Sequence, residues 1–315
     1  MSKYVFSFGG GATSFLGALL AIEQYGFDNV DVINAALIDD EPYIKPVIDA
    51  FERVSGKTVT RLSAHSERLH YTKRAVDDAY AGNLEPQMLR WLLERINAST
   101  DGSLVAQAVD EPLYSTWHVD FMTRFMSNTM FDPCSSNLKR KPIGEYIRTQ
   151  YPAGSATIGV AMTADEIDRT LSVTKRWKQS GYEVSYPLID DNRYSDKDFV
   201  RGEFERIAEF VPTAYQMDLE HNNCTPCRKG GKAHHARTLY HRRDAYLWSE
   251  RHERLWRETF QKDNAILREV RDGVKHYITL EQFRQEMEAR WAGRMFEPFE
   301  GLEETAACSF CEAAA

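Results

Sequence analysis

No apolar run in the 315-residue sequence approaches the roughly 18–20 residues that a helix needs to cross a bilayer. A membrane-spanning helix is therefore not expected. The chain also lacks a basic opening segment followed by an apolar core and a small-residue cleavage site, so no secretory leader is expected and a cytoplasmic location is. Positive charge is in deficit: the formal net charge of −8 disfavours a general nucleic-acid-coating role. Cysteine is scarce, with five in all, and in a cytosolic chain such thiols are better read as metal ligands or reactive groups than as disulfides. Internal repeats and low-complexity linkers are missing too. So are the two common phosphate-binding signatures, GxxxxGK[ST] and GxGxxG.

What is present reads as a globular α/β protein. Hydrophobic residues make up 43% and charged residues 27%, the balance of a chain that can bury a core rather than stay disordered. Residues 3–8 (KYVFSF) read as a short buried strand, and three glycines follow. Residues 14–25 then carry apolar side chains at helical spacing. An apolar strand over 30–38 ends in Asp39-Asp40-Glu41; a helix over 43–54 and a strand over 58–62 complete a βαβαβ pattern. Such alternation predicts a doubly wound, mostly parallel sheet. Residues 66–130 read as mainly helical without a clear strand. Strands are expected over 156–162 and 183–189, a helix over 165–179, and mostly helices from Phe199 onward, one of them spanning 237–260. Thr279 and Gln282 fit a helix-capping box. The expected organisation is an α/β nucleotide-binding domain over 1–220 and a cysteine-containing helical region over 221–315 packed on it.

Residues 7–14 (SFGGGATS) carry the clearest chemistry. Gly9, Gly10 and Gly11 let backbone N–H groups approach phosphate oxygens, and a following helix presents its positive end to the same anion. Ser7, Thr13 and Ser14 add hydroxyls. A tight strand-to-helix turn would explain the glycines equally well. The cysteines are paired along the chain: Cys224 with Cys227 and Cys308 with Cys311, each as CxxC, with Cys134 alone. Four thiolates can hold zinc tetrahedrally or an iron–sulfur cluster. From Cys224 to Leu255, eight Lys/Arg face three acids. That segment reads either as a solvated basic surface or as a face for an anionic small molecule or nucleic acid, centred on 228–255. Lys139 and Lys141 are candidates for phosphate or sulfate contacts, His221 for a ligand or proton donor, and Lys229-Gly230-Gly231 for a second anion-binding turn. Trp248 and Trp256, eight apart, are expected to pack in the core.

Taken together, these landmarks resemble the PP-loop superfamily, and within it the PAPS-reductase-like branch. The glycine loop is similar to that family's SGGK(D/T)S loop. Asp39-Asp40 stands where the family carries an acidic or amide pair near the adenosine. Residues 134–142 (CSSNLKRKP) resemble its Cys-x-x-x-Leu-Lys-x-x-Pro segment, and Ile158-Gly159 with Asp165, Glu166 and Arg169 resembles its strand and helix start. Residues 221–231 (HNNCTPCRKGG) match its HNNCxxCxKGG block, and the tail CSFC loosely matches its C-terminal cysteine element. The matches run in order from residue 4 to 312. The loop departs from the family in having Gly9 for serine and Ala12 for lysine, which leaves phosphate binding to backbone N–H groups.

The resemblance implies an adenine nucleotide, ATP or PAPS-like, with Mg²⁺ accompanying ATP, and favours an iron–sulfur cluster over zinc. Two ligand sets stay open: Cys224, Cys227, Cys308 and Cys311, or Cys134 with Cys224, Cys227 and one tail cysteine. Three functions follow. The first is adenylation of a substrate with release of pyrophosphate, in sulfur transfer or in nucleotide or nucleic-acid modification. The second is reduction of a sulfonucleotide with Cys308 as nucleophile and a thiol reductant. The third is nucleotide binding without turnover.

Overall fold

The computed structural model describes residues 3–128, 131–191, 194, 196–222, 224–292 and 298–302. At its centre is a six-stranded sheet of β1 (Lys3–Ser7), β2 (Val30–Ala35), β3 (Val59–His65), β4 (Val105–Ala108), β5 (Ala156–Val160) and β6 (Glu183–Ser185), in the order β4-β3-β2-β1-β5-β6. Five strands are parallel, and β4 closes one edge antiparallel to β3. The chain runs outward from β1 to β3 and then returns to place β5 on the other side of β1. The β1/β5 boundary is therefore the topological switch point, where open α/β sheets bind ligands beyond the strand carboxyl ends.

Side-chain alternation along the strands builds a core on each face. Tyr4, Phe6 and Phe8 point into one core with α1 (Ala12–Tyr25) and α2 (Glu41–Ser55). Val5, Ile33, Ile158 and Val160 point into the other. Phe6 fits only because two neighbours lack side chains: a Cβ on Gly17 would lie 2.8 Å from its ring, and one on Gly159 would lie 2.6 Å from it. The expected α/β class with a doubly wound, mostly parallel sheet is what the chain forms.

The remaining helices are α3 (Glu67–Tyr80), α4 (Pro86–Ser99), α5 (Thr116–Thr123), α6 (Pro133–Ser135), α7 (Lys141–Gln150), α8 (Ile167–Gln179), α9 (Pro187–Asp190), α10 (Lys197–Ala208), α11 (Thr213–Gln216), α12 (Lys232–His241), α13 (Arg243–Phe260) and α14 (Leu280–Trp291). A π turn over Ser136–Arg140 joins α6 to α7. A third core combines α3, α4 and α5 with α12, α13 and α14, so residues beyond 221 share their apolar interior with residues 75–126. No helix among the described residues is long and apolar enough to cross a membrane.

Four expectations are corrected. The region 66–130 contains β4, whose four residues are mostly exposed and carry no alternating pattern to read. The strand expected over 183–189 stops at Ser185, and Pro187 opens the short helix α9. The helix expected over 237–260 is two helices meeting at Arg242. A hairpin of β7 (Leu267–Arg271) and β8 (Val274–Ile278) interrupts the C-terminal helices. The capping box is as expected: Thr279 accepts the Gln282 N–H at 3.1 Å, and Gln282 accepts the Thr279 N–H at 3.0 Å.

Candidate functional site

The glycine loop leaves β1 at the switch point and enters α1 directly. Phe8 is still held by the sheet: its N–H donates to Ile33 and its carbonyl accepts from the buried Asn34 side chain, each at 2.8 Å. Gly10 then turns with φ +80°, and a Cβ there would lie 2.6 Å from Ile44 Cγ2, so both the turn and the approach of α2 require glycine. Gly11 and Ser14 cap α1 reciprocally. The Gly11 N–H donates to Ser14 Oγ at 3.1 Å, and Ser14 Oγ donates back to the Gly11 carbonyl at 2.9 Å. The Ala12 N–H donates to the Tyr215 hydroxyl at 3.0 Å. The Ser14 hydroxyl, a candidate nucleotide contact, makes this cap. Among the described residues, the N–H groups of Gly9 and Gly10 have no hydrogen-bond partner. Ser7 ends β1, buried, and Thr13 lies in the first turn of α1.

Asn222 brings the start of the HNNC block against this loop. Asn222, 1% exposed, donates to the Gly10 carbonyl at 2.8 Å and to the Tyr43 carbonyl at 2.9 Å. One side chain therefore fixes the loop and the start of α2 together. His221 sits 3.6 Å from Glu220. Burial lowers its imidazole to about 4, with Lys197, Arg201 and Arg169 pushing the same way, so at neutral pH it is uncharged. Arg169 pairs with Glu166 one helical turn earlier, and Lys197 pairs with Asp165 and Glu220 at 3.3 and 3.8 Å. The β5 edge thus holds a charge-balanced cluster beside the loop.

Both carboxylates of the acidic pair have partners within the protein. Asp40, 1% exposed, accepts from Lys139 Nζ at 2.8 Å, and Asp39 accepts the Thr116 N–H. Burial raises the Asp39 carboxyl, opposed chiefly by Arg228. Lys139 is correspondingly buried rather than at the surface. The π turn points it inward, where it neutralises Asp40 with 5% of its surface exposed. Lys141 instead donates to Asn137 at 2.8 Å.

Three cysteines meet beside this pair. Cys134, Cys224 and Cys227 are buried free thiols lining one cavity of about 20 Å³ together with Lys139 and Arg228, which is room for about one water molecule. The Cys224 thiol is 3.9 Å from Asp40 Oδ2. Burial pushes its pKa well up; Lys139 opposes this, and Asp40 and Asp39 add to it. Among the described residues, no three His, Cys, Asp or Glu side chains are arranged to hold a metal ion. Cys308 and Cys311 lie outside the described residues.

Two histidines escaped the sequence reading. His234 Nε2 accepts the Cys227 N–H at 2.9 Å, and burial lowers that ring to about 4, keeping it a neutral acceptor. His252 stacks with Trp117 at 5.4 Å between centroids and an interplanar angle of 18°. The Arg228 guanidinium lies 3.6 Å from the centre of the Trp117 ring. A histidine seven residues after a CxxC, at the start of a helix, was the available signal for His234; nothing local marks His252.

The basic segment is largely neutralised from within. Arg228 faces Asp120 at 3.5 Å, Lys229 faces Asp132 at 3.4 Å, Lys232 faces Glu269 at 2.9 Å and Arg237 faces Asp218 at 3.1 Å. In the turn expected to bind a second anion, the Gly230 N–H donates to the Cys227 carbonyl at 2.9 Å. Trp256 is core, as expected, while Trp248 is half-buried. No family model, curated protein or solved structure matches the chain.

Proposed function

We propose that this chain is a PAPS-reductase-like PP-loop enzyme that binds ATP or a related adenine nucleotide and adenylates a substrate with release of pyrophosphate. The observation that carries this reading is the Gly9–Gly10 turn at the switch point, locked to the HNNC block by Asn222. Backbone N–H groups at that turn and the N-terminus of α1 are suited to the phosphates, with Mg²⁺ accompanying the nucleotide. In the reaction an acceptor oxygen attacks the α-phosphorus. An O–P bond forms, and pyrophosphate leaves with the bonding electrons of the broken α–β bridge.

His221, buried and uncharged at neutral pH, is suited to hold the acceptor by a hydrogen bond rather than to take its proton. Ala12 leaves the loop without its usual cation, so the positive end of α1 supplies the field instead.

The three thiols of Cys134, Cys224 and Cys227 have the soft donor chemistry of an iron–sulfur or zinc site. A fourth ligand would come from Cys308 or Cys311. Such a centre would brace the HNNC block under the glycine loop or carry sulfur; no step above passes through it.

The experiment is to incubate the full chain with [α-³²P]ATP and candidate acceptors and to follow AMP and pyrophosphate. Adenylated product with equimolar pyrophosphate supports the reading. Thiol-dependent sulfite release from PAPS, lost in Cys308→Ser, would replace it with a sulfonucleotide reductase. Nucleotide binding without turnover would leave a sensing protein.

A further inference from the structure

The cations after Cys224 are largely matched by acids, but a second group, on α7 and α8, is not. Residues 170–182 carry Lys175, Arg176 and Lys178 without an acid. Residues 137–151 carry Lys139, Arg140, Lys141 and Arg148 against Glu145 alone. Both helices pack on the sheet face that holds Val5 and Ile158, through Ile143 and Ile147 of α7 and Val173 and Trp177 of α8. The glycine loop enters α1 on the other face.

Three guanidiniums of this group are drawn together by the packing. Arg148 folds back along α7: a Cβ added at Gly144 would lie 3.2 Å from its Nη1. The side chain therefore runs toward the start of the helix, where Arg140 ends the π turn. Residues 140, 144 and 148 are four apart and share a helix face. The Arg148 charge also reaches Tyr182, whose ring meets Trp177 of α8 edge-on at 5.6 Å between centroids. On α8, partial burial lowers the Arg176 pKa, and repulsion from Arg140 lowers it further.

The acids nearby do not balance these charges. Arg140 is 3.5 Å from Asp132, which Lys229 also approaches, at 3.4 Å. Arg148 is 3.3 Å from Glu145, and both side chains are about half exposed, where water screens the pair. Arg176 has no ion-pair partner among the described residues. A half-buried guanidinium beside a second one, without a carboxylate of its own, is costly for the free protein. An incoming anion relieves that cost, and guanidinium forks match phosphate oxygens two at a time.

The placement selects the kind of anion. Lys175, exposed, continues the row of cations on α8. A single phosphate would engage only part of such a row, whereas successive phosphates of a strand can follow it. The rings on this face, Trp177 and Tyr182, are buried, so contact is to the backbone and carries no sequence information. With a net charge of −8 over the whole chain, such binding is confined to this face and sensitive to salt.

We infer that the α7–α8 face binds the phosphodiester backbone of a nucleic acid through Arg140, Arg148 and Arg176. The inference stands apart from the glycine-loop reading, because the two sites occupy opposite faces of the sheet.

The test titrates the full chain against a fluorescein-labelled RNA strand of mixed sequence and follows anisotropy at several salt concentrations. Wild-type affinity should fall as salt rises. Arg140→Gln, Arg148→Gln and Arg176→Gln should each weaken binding about threefold to tenfold at about 0.1 M salt, and each should reduce the log–log salt slope by about 0.7. Arg254→Gln removes one exposed cation from α13 and should bind as the wild type does. Glu145→Gln leaves Arg148 without its acid and should tighten binding, a gain that no loss of folding can mimic.

Absence of RNA binding by the wild type, or binding unchanged in the three arginine variants, overturns the inference. An equal loss in Arg254→Gln overturns it too, because net charge alone would then be at work. Inorganic phosphate binding at these arginines without strand binding would mean a single-anion site and would contradict it as well.

Discussion

Asn222 donates to the carbonyl of Gly10 at 2.8 Å across 212 residues of chain. This bond joins the two most distinctive segments of the sequence, the glycine turn and the HNNC block, into one structure. The same amide donates to Tyr43, so its removal leaves two buried carbonyls without their partner. Asn222→Ala should cost about 2 kcal/mol of unfolding free energy and weaken ATP binding. Asn222→Asp, of equal size but unable to donate, should cost at least as much. Urea unfolding and nucleotide titration of both variants check this; wild-type stability in Asn222→Asp would contradict it.

Gly10 makes an independent prediction. Its φ of +80° and the 2.6 Å approach to Ile44 act separately. Gly10→Ala should lose about 1–2 kcal/mol from backbone strain alone and more from the contact. Gly10→Ala with Ile44→Ala relieves only the contact, so the ΔΔG of the pair should be less than the sum of the two single losses. Strict additivity in denaturation experiments would mean that the two residues do not meet.

Lys139 and Asp40 form an ion pair with little access to water. Lys139→Met strands a buried carboxylate and should destabilise the protein by about 3–5 kcal/mol. Adding Asp40→Asn removes the stranded charge and should recover most of that loss. If the double variant is as unstable as Lys139→Met, measured by chemical denaturation, the pair is not the relevant interaction.

How much of this was legible in the sequence follows from where each signal lies. Strand–glycine–helix order, the apolar runs of β1, β2 and β5, and the Thr279 cap are local patterns, and they placed the sheet and the loop correctly. β4 has no alternation because its residues are mostly exposed, and the break at Arg242 is a bend without proline or glycine. In the site, the type of each residue was visible but its partner was not. Lys139 looks like a surface lysine until the π turn aims it at Asp40 from 99 residues away. The surplus of cations after Cys224 looked like an anion-binding face because the neutralising acids Asp120, Asp132 and Asp218 come earlier in the chain and Glu269 comes later. Trp248 and Trp256 share a helix face by spacing, yet one is core and the other borders a cavity.

Glu253 supplies a pH prediction. Burial raises its carboxyl to about 7, against the opposing pull of the Ile266 and Leu280 N–H groups and Arg257. In the unfolded chain it returns to about 4.3. Because the folded value is the higher one, its contribution is fully present below about pH 4 and is lost as pH rises through 7, on the order of 3 kcal/mol in total. From about pH 5 to pH 8 the wild type should lose stability relative to Glu253→Gln, which lacks the titration. Parallel stability curves for the two proteins would contradict this.

The central claim is that nucleotide phosphates meet the Gly9–Gly10 turn, and the most direct measurement needs no substitution in the binding state. In ¹⁵N-glycine-labelled protein titrated with ATP, the Gly9 and Gly10 amide resonances should move furthest and downfield, as N–H groups that gain an anionic acceptor do, and tripolyphosphate should reproduce the shift. Saturable ATP binding that leaves both resonances in place while other glycines move, or no binding at all, would contradict the account.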